Sequence, residues 1–364
     1  MSPVATNTDV IAEAVRIVSV PKAAEADSFV LHAPLELMAR VQLLQWLPHD
    51  RQRPALAMIE RLADQYAACS PDVQTPLPVS LPPDAASLLA AVAAGQIDLV
   101  DSLATAWLPQ WSAAEVVATM GEALAPSLGA AGHAPIGLAM LLRDARMPAT
   151  LLRGPLRALA TRPSWRISWH ERVSGDGDPD GLYNALRAAP QLGRPGSDFI
   201  YPLMTQAVES GQAERLLGPL LADRYDVAQA LRTVTRVAAW SMLYDDQSQA
   251  PYGWTHALTM PQAVLSLAGA GVLPRTALAV AATFSLGFRL AHGTVELPPQ
   301  IEPAVSELTC GDIAAAASVH DDAHLVKYTL ACFHAAAHDS EFAGLYLAAA
   351  AHLVGWWNHR AEDL

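Results

Sequence analysis

The stretch HDDAHLVKYTLACFHAAAH, residues 320–338, decides how the rest of the chain is read. At 100° per residue, His320, His324, Lys327, His334 and His338 fall within about 40° of one helix line. Leu325, Val326, Leu330, Cys332 and Phe333 fill the opposite side, which predicts an amphipathic helix over 321–337. The lysine is notable for its scarcity: Lys22 and Lys327 stand against 21 arginines. A chain so short of lysine has little need of one as a general solubilising residue. Two readings of the stripe are open, a face turned to water and a wall that binds metal.

The same period of three to four runs through most of the chain, and no alternating strand pattern interrupts it. It predicts helices over 35–47, 86–93, 133–143, 151–160, 181–189, 200–210 and 212–221. Others follow at 226–243, 261–268, 274–291, 312–318 and 340–357, and one over 113–124 begins after the cap-like Ser112. Prolines sit repeatedly where a first turn would fall, at a position that needs no N–H. The expected fold is therefore all-α, one compact multi-helix domain over residues 1–364 with a buried central cavity. Residues 1–25 are expected to pack poorly. Loops are expected near 70–83, 173–180 and 293–303, from their proline, glycine and acidic content. The acidic loop lacks the downstream glutamate of a calcium site and reads as solvated.

Composition narrows the function. Hydrophobic residues make up 52% and charged residues 16%, so much of the chain is interior. A net charge of −13 with no Lys/Arg cluster argues against nucleic acid and against an anionic membrane surface. No basic-plus-apolar leader is visible, and Pro274 and Arg275 break the one long apolar stretch, so no membrane span is expected. Cys69, Cys310 and Cys332 are odd in number and have no CxxC spacing, which fits free thiols in a reducing cytoplasm. No nucleotide fingerprint, phosphate loop, HExxH or GxSxG is present. What remains are histidines in apolar, helix-forming settings: His32, His133, His256 and His324. His32 and His133 share His-Ala-Pro, which reads as an imidazole just outside a helix that begins at proline; His256 stands five residues before Pro261.

In four patches the chain resembles the questin oxidase-like family of all-helical oxygenases. These are His32-Ala-Pro-Leu-Glu-Leu-Met-Ala-Arg, Gly132-His-Ala-Pro-Ile-Gly-Leu, Tyr252-Gly-Trp-Thr-His-Ala-Leu, and His324-Leu-Val-Lys-Tyr-Thr with the closing Trp356-Trp357. The resemblance implies a non-haem Fe(II) held by four histidines and a lysine carboxylated on its side chain. By position these are His32, His133, His256, His324 and Lys327. It also implies dioxygen and a small aromatic, anthraquinone-type polyketide as substrates, consumed by ring opening or Baeyer–Villiger-type oxidation, with NADPH as candidate reductant. The early patch departs from the family pattern, with Pro34 and Glu36 where further histidines are usual and with an unexpected arginine at Arg40.

The chemistry is coherent on its own terms. An ammonium has no lone pair, but a buried lysine shifts toward the neutral amine that reacts with carbon dioxide. The carbamate formed is a hard anionic donor suited to iron. His320 is expected to assist proton movement. Asp245 and Asp246 are expected to orient a ligand imidazole. Tyr252, Trp254, Phe284 and Tyr328 are expected to line the substrate cavity by their nearness in sequence to the ligands, with Trp165 and the other tryptophans as packing groups. Two alternatives stand beside the oxygenase. One is a non-enzymatic helical protein that binds an apolar metabolite; the other is a zinc site built from the pairs His320/His324 and His334/His338.

Overall fold

The structure, a computed structural model, describes residues 7–25, 27–74, 84–173, 181–196, 200–221 and 226–362. Its first helices are α1 (Asn7–Val18), α2 (Ser28–Leu43), α3 (His49–Cys69), α4 (Ala85–Ala93), α5 (Ile97–Trp107) and α6 (Ala113–Leu124). The middle of the chain forms α7 (His133–Arg143), α8 (Arg153–Ala160), α9 (Leu182–Arg187), α10 (Ile200–Glu209) and α11 (Val227–Tyr244). The last are α12 (Thr255–Ser266), α13 (Pro274–His292), α14 (Cys310–Ser318), α15 (Ala323–His338) and α16 (Ala343–Glu362). The fold is all-α: the described residues hold no strand, only the isolated bridges Lys22–Asp72 and Ser127–Arg166.

Local chemistry starts these helices. Asp27, Asp84, Asp226 and Asp322 each accept N–H groups of the first turn. Ser112 with Glu115, and Thr309 with Asp312, form reciprocal capping boxes. Asp322 bonds the N–H groups of His324 and Leu325, so α15 begins at Ala323 and His320 lies before it, off the polar stripe. His133 is the first residue of α7. The two other proline motifs depart from expectation. His32 lies inside α2 with Pro34, and His256 inside α12 with Pro261; both prolines are accommodated within their helices.

Four helices set the architecture of the site. α2 packs on α7, α7 on α12, α12 on α15, and α15 on α2, closing a ring of four. α13 runs against α12 and is buried from Thr276 to His292, which explains its apolar sequence. No helix among the described residues is long and apolar enough to cross a membrane. Contrary to the expected loose start, α1 docks on α3 and buries Ala14 and Val18. Residues 293–303 are irregular, as expected; residues 75–83 and 174–180 of the other two predicted loops lie outside the described residues.

Charges enter this interior in pairs. Arg40 meets Glu36 at 2.6 Å and also donates to the carbonyls of Ser318 and His320, tying α2 to the turn that leads into α15. Arg289 pairs with Asp245, whose second oxygen accepts the N–H of Val295. Asp246 caps the next turn through Ser248. Asp245 and Asp246 thus serve an ion pair and a cap, and the expected role in orienting an imidazole is not what their hydrogen bonds do.

Candidate metal centre

Each helix of the ring brings one histidine inward: His32 from α2, His133 from α7, His256 from α12 and His324 from α15, which also carries Lys327. The rings of His32 and His133 lie 4.5 Å apart, as do those of His32 and His324; His256 stands 5.1 Å from His324 and 6.4 Å from His133. The Nε2 atoms of His32 and His324 are 3.0 Å apart, across 292 positions of sequence. Lys327 Nζ lies 3.4 Å from His133 Nε2. His32, His133, His256 and Lys327 are buried, and His324 is nearly so.

Helix geometry fixes two of the rings in the same way. His32 Nδ1 bonds the carbonyl of Ser28 at 2.6 Å, and His256 Nδ1 that of Tyr252 at 2.5 Å, each four residues back. A carbonyl only accepts, so both carry their proton on Nδ1 and turn a bare Nε2 toward the centre. His133 Nδ1 and His324 Nδ1 have no hydrogen-bond partner. A proton held on His324 Nε2 serves the contact to His32; moved to Nδ1, 3.5 Å from Asp322 Oδ1, it frees a third lone pair.

Magnitudes decide the charge state. Two protonated imidazoles at the 4.5 Å of His32 and His133 repel by about 4 kcal/mol at an effective dielectric of about 20. Several such pairs would use up a whole protein's stability of about 5–15 kcal/mol. Burial, and then the charge of Lys327, hold His32, His133 and His324 well below the ordinary histidine value, and His256 at about 4. Burial brings Lys327 down to about 7, against the pull of Glu36 and Asp322. Near neutral pH the four imidazoles are therefore neutral nitrogen donors, and Lys327 is about half neutral.

Among the described residues, no group of three or more His, Cys, Asp or Glu side chains stands in an arrangement that could hold a metal ion as it is. The fit to a metal lies in the donor atoms. Two ligands at right angles, each about 2.1 Å from a metal, stand about 3.0 Å apart, the separation of His32 and His324 Nε2. A void of about 10 Å³ lies among His256, His324, Lys327, Ile136, Thr255 and Thr259. That is room for about one water-sized sphere, beside the amine and two imidazoles. Imidazole donors suit iron, copper, nickel and zinc.

A cavity of about 1190 Å³ opens beside the cluster, walled by His32, His256, His324 and Glu36 at one part and by Phe29, Leu31, Leu128, Trp165, Ile200, Tyr201 and Tyr252 elsewhere. Of the four aromatic groups expected there, Tyr252 takes part, its ring edge-on to His324 at 4.9 Å. Trp254, Phe284 and Tyr328 are core residues and do not line it. Trp254 donates to the carbonyl of Asp246; Tyr328 follows Lys327 by about 100° of helix turn and so points elsewhere. Trp165, read as a packing group, stacks on Tyr201 at 4.1 Å in the cavity wall. Tyr201, Phe29 and Arg162 carried no sequence signal, because nothing in a helical period says which loop or helix will face a cleft.

His320 does not join the cluster by any contact: its Nδ1 accepts the N–H of Asp322 and its ring packs on Trp357 at 5.1 Å. His334 lies against Trp46 at 6.0 Å, with Nε2 unpartnered, and His338 is exposed at the end of α15. The pair His320/His324 therefore does not share a helix face. One further feature leads into His133: Ala130 and Ala131, at φ 51° and 53°, precede Gly132 at 73°, a left-handed turn in which two residues carry a Cβ. No protein-family model matches the chain, and no curated protein or solved structure matches it either.

Proposed function

We propose that the protein is a non-haem iron oxygenase. In this reading His32, His133, His256 and His324 hold the metal, and Lys327, carboxylated on Nζ, supplies the anionic donor. A flat aromatic or quinone enters the adjacent cavity and is opened at a ring, or takes an oxygen atom in Baeyer–Villiger fashion. The observation that carries the reading is the convergence of four imidazoles, one from each helix of a closed ring, on a buried amine, with His32, His256 and His324 in the wall of a large cavity that also holds aromatic side chains.

Bound iron would supply a site that binds and activates dioxygen. The chain's own groups do the rest. Ser28 and Tyr252 carbonyls hold two imidazoles with Nε2 inward. Burial keeps Lys327 near half-neutral at pH 7, the state that takes up carbon dioxide. Arg40, held by Glu36, fixes the turn at Ser318 and His320 from which His324 and Lys327 start. Tyr252 packs edge-on against His324 in the cavity wall and would orient that imidazole. Ring opening that takes both atoms of dioxygen needs no other reductant. Insertion of one atom needs two electrons, for which NADPH is the candidate donor.

Metal analysis of protein purified without chelator, alongside Lys327→Met and His324→Ala, tests the proposal. We expect about one iron per chain in the parent and its loss in both variants. A metal-free parent, or variants with the same metal content as the parent, would sink it.

A further inference from the structure

The aromatic cavity also carries charge, and its charges are unequally satisfied. Four carboxylates stand in its wall, Glu25, Glu36, Asp321 and Asp322. Glu25 pairs with Arg157 at 3.4 Å, Glu36 with Arg40 at 2.6 Å, and Asp321 with Arg61 at 3.0 Å. Asp322 is taken up by the first N–H groups of α15. Each acid thus has its counter-charge or its donors within the protein.

Arg162 differs. Its guanidinium lines the same cavity, sits 5.4 Å from the centre of the Trp165 ring, and donates one bond, at 3.2 Å, to the carbonyl of Thr161. Among the described residues this exposed guanidinium forms no ion pair with a carboxylate, in a chain whose acids outnumber its bases. The backbone that carries it is held: the backbone N–H of Trp165 bonds the Arg162 carbonyl at 3.1 Å, closing the turn Arg162-Pro163-Ser164-Trp165, and Trp165 is stacked flat on Tyr201. Proline in the second position presets this turn. A cation resting beside an indole face, with most of its five donors unused, is prepared for a planar anion that it grips through two parallel bonds. Arg194 contributes a second guanidinium to the wall.

We propose that the substrate of this cavity is an aromatic that carries an anionic group, a carboxylate or an ionised phenol, and that Arg162 reads that group. The proposal deepens the functional reading above and rests on its claim that the cavity takes an aromatic, but not on the metal. The anion then sets the direction in which a flat molecule enters, with its charged end at Arg162 and a ring left to face His32, His256 and His324. It also favours the anion over neutral aromatics of the same shape, which offer the guanidinium no charge partner.

Equilibrium titration of anthraquinone-2-carboxylate against its neutral carboxamide, followed by quenching of tryptophan fluorescence, tests this. A carboxylate also binds metals directly, so the titrations use both the parent and the metal-depleted His324→Ala chain. We expect the carboxylate to bind about tenfold more tightly than the carboxamide in both, with the ratio shrinking as salt is added. Arg162→Met should bring the ratio near one and move the carboxamide affinity by less than about threefold; Arg162→Lys should keep part of the preference. Equal binding of the two probes to the parent overturns the proposal. A ratio that survives Arg162→Met, or that vanishes in His324→Ala, does so too. If neither probe binds, the aromatic cavity itself is refuted along with it, whereas a metal-free parent that keeps the preference refutes only the oxygenase.

Discussion

The two halves of α15 carry the same chemistry and meet different fates. His324 and Lys327, in its first half, face three imidazoles from three other helices. His334, two turns further on, faces the indole of Trp46. The nearest charge at His334 is the guanidinium of Arg143, and His338 ends in solvent. Periodicity put all of these on one stripe, and residue type made them equal candidates. What separates them is the surface that crosses α15 at each height. A histidine becomes a candidate ligand by virtue of what the other helices present to it.

The largest effect should come from exchanging the two halves' roles. His324→Ala and Lys327→Met should each lower bound metal and metal-dependent oxygen uptake by more than about 100-fold. His334→Gln and His338→Gln should leave both within about twofold. Elemental analysis and an oxygen electrode read the two quantities. Equal losses from both halves would mean that the comparison is false and that the helix acts only as a scaffold.

The arginines beside each half offer a second contrast, in stability. Arg40 is buried with Glu36 as its partner; Arg143 is half-buried, with Nη2 unpartnered and no ion pair to an acid among the described residues, so that burial pulls its pKa down to about 10. Removing half of a buried pair strands the other charge, at a cost of about 3–5 kcal/mol. Glu36→Ala should therefore destabilise by about that much and weaken metal binding, because Arg40 also holds the turn into α15. Arg143→Met should be neutral or stabilising, since it removes a charge that has no partner. Denaturant unfolding measures both, and a large loss from Arg143→Met would show that an anion accompanies it.

Protonation sharpens the contrast further. Burial, with Arg143 nearby, lowers His334 from the ordinary 6.5 to about 3. The unfolded chain then binds the proton more readily than the folded one, so stability is full above about pH 6.5 and falls as pH drops toward 3. Between pH 7 and 5 the loss is about 2 kcal/mol for this one group. His334→Phe should flatten the slope of unfolding free energy against pH in that window, with metal or without. At the other half the same slope should appear in the metal-free chain and persist or steepen on loading, because a bound metal keeps protons off the folded chain's lone pairs while the unfolded chain still takes them up. A slope unchanged in His334→Phe would place that ring in water.

How much of this was legible follows the same division. The helical class and the bounds of α7 were plain from periodicity. The five basic residues were singled out by their apolar surroundings and by the scarcity of lysine. The cavity wall was not legible. Tyr328 was chosen as the neighbour of Lys327, yet adjacent residues on a helix point about 100° apart. Trp165 reads as packing because it is far in sequence from the candidate ligands, and its stack on Tyr201 depends on α10 arriving from 36 positions later. His32 and His256 were placed outside helices because proline usually starts one. Pro34 and Pro261 sit inside helices, so His32 and His256 are helical too, and each imidazole reaches back to the carbonyl four residues earlier.

The smallest effect compares the ways in which two ligands are delivered. His324 follows a relaxed start, with Asp322 in an extended conformation and its carboxylate on two N–H groups. His133 follows Ala130, Ala131 and Gly132, all left-handed. An alanine there costs about 1–2 kcal/mol relative to its usual conformations. Ala131→Gly removes that cost but enlarges the freedom of the unfolded chain, which takes back about 0.4–1 kcal/mol. The net should be a gain of about 0.5 kcal/mol in stability, with metal content unchanged, because the turn keeps its path. Ala131→Val should go the other way by more than this, since a branched Cβ fits a positive φ worst. Paired melts of the two variants read the sign directly. If glycine lowers the melting temperature and valine does not, the turn is held without strain, and His133 reaches the centre as easily as His324 does.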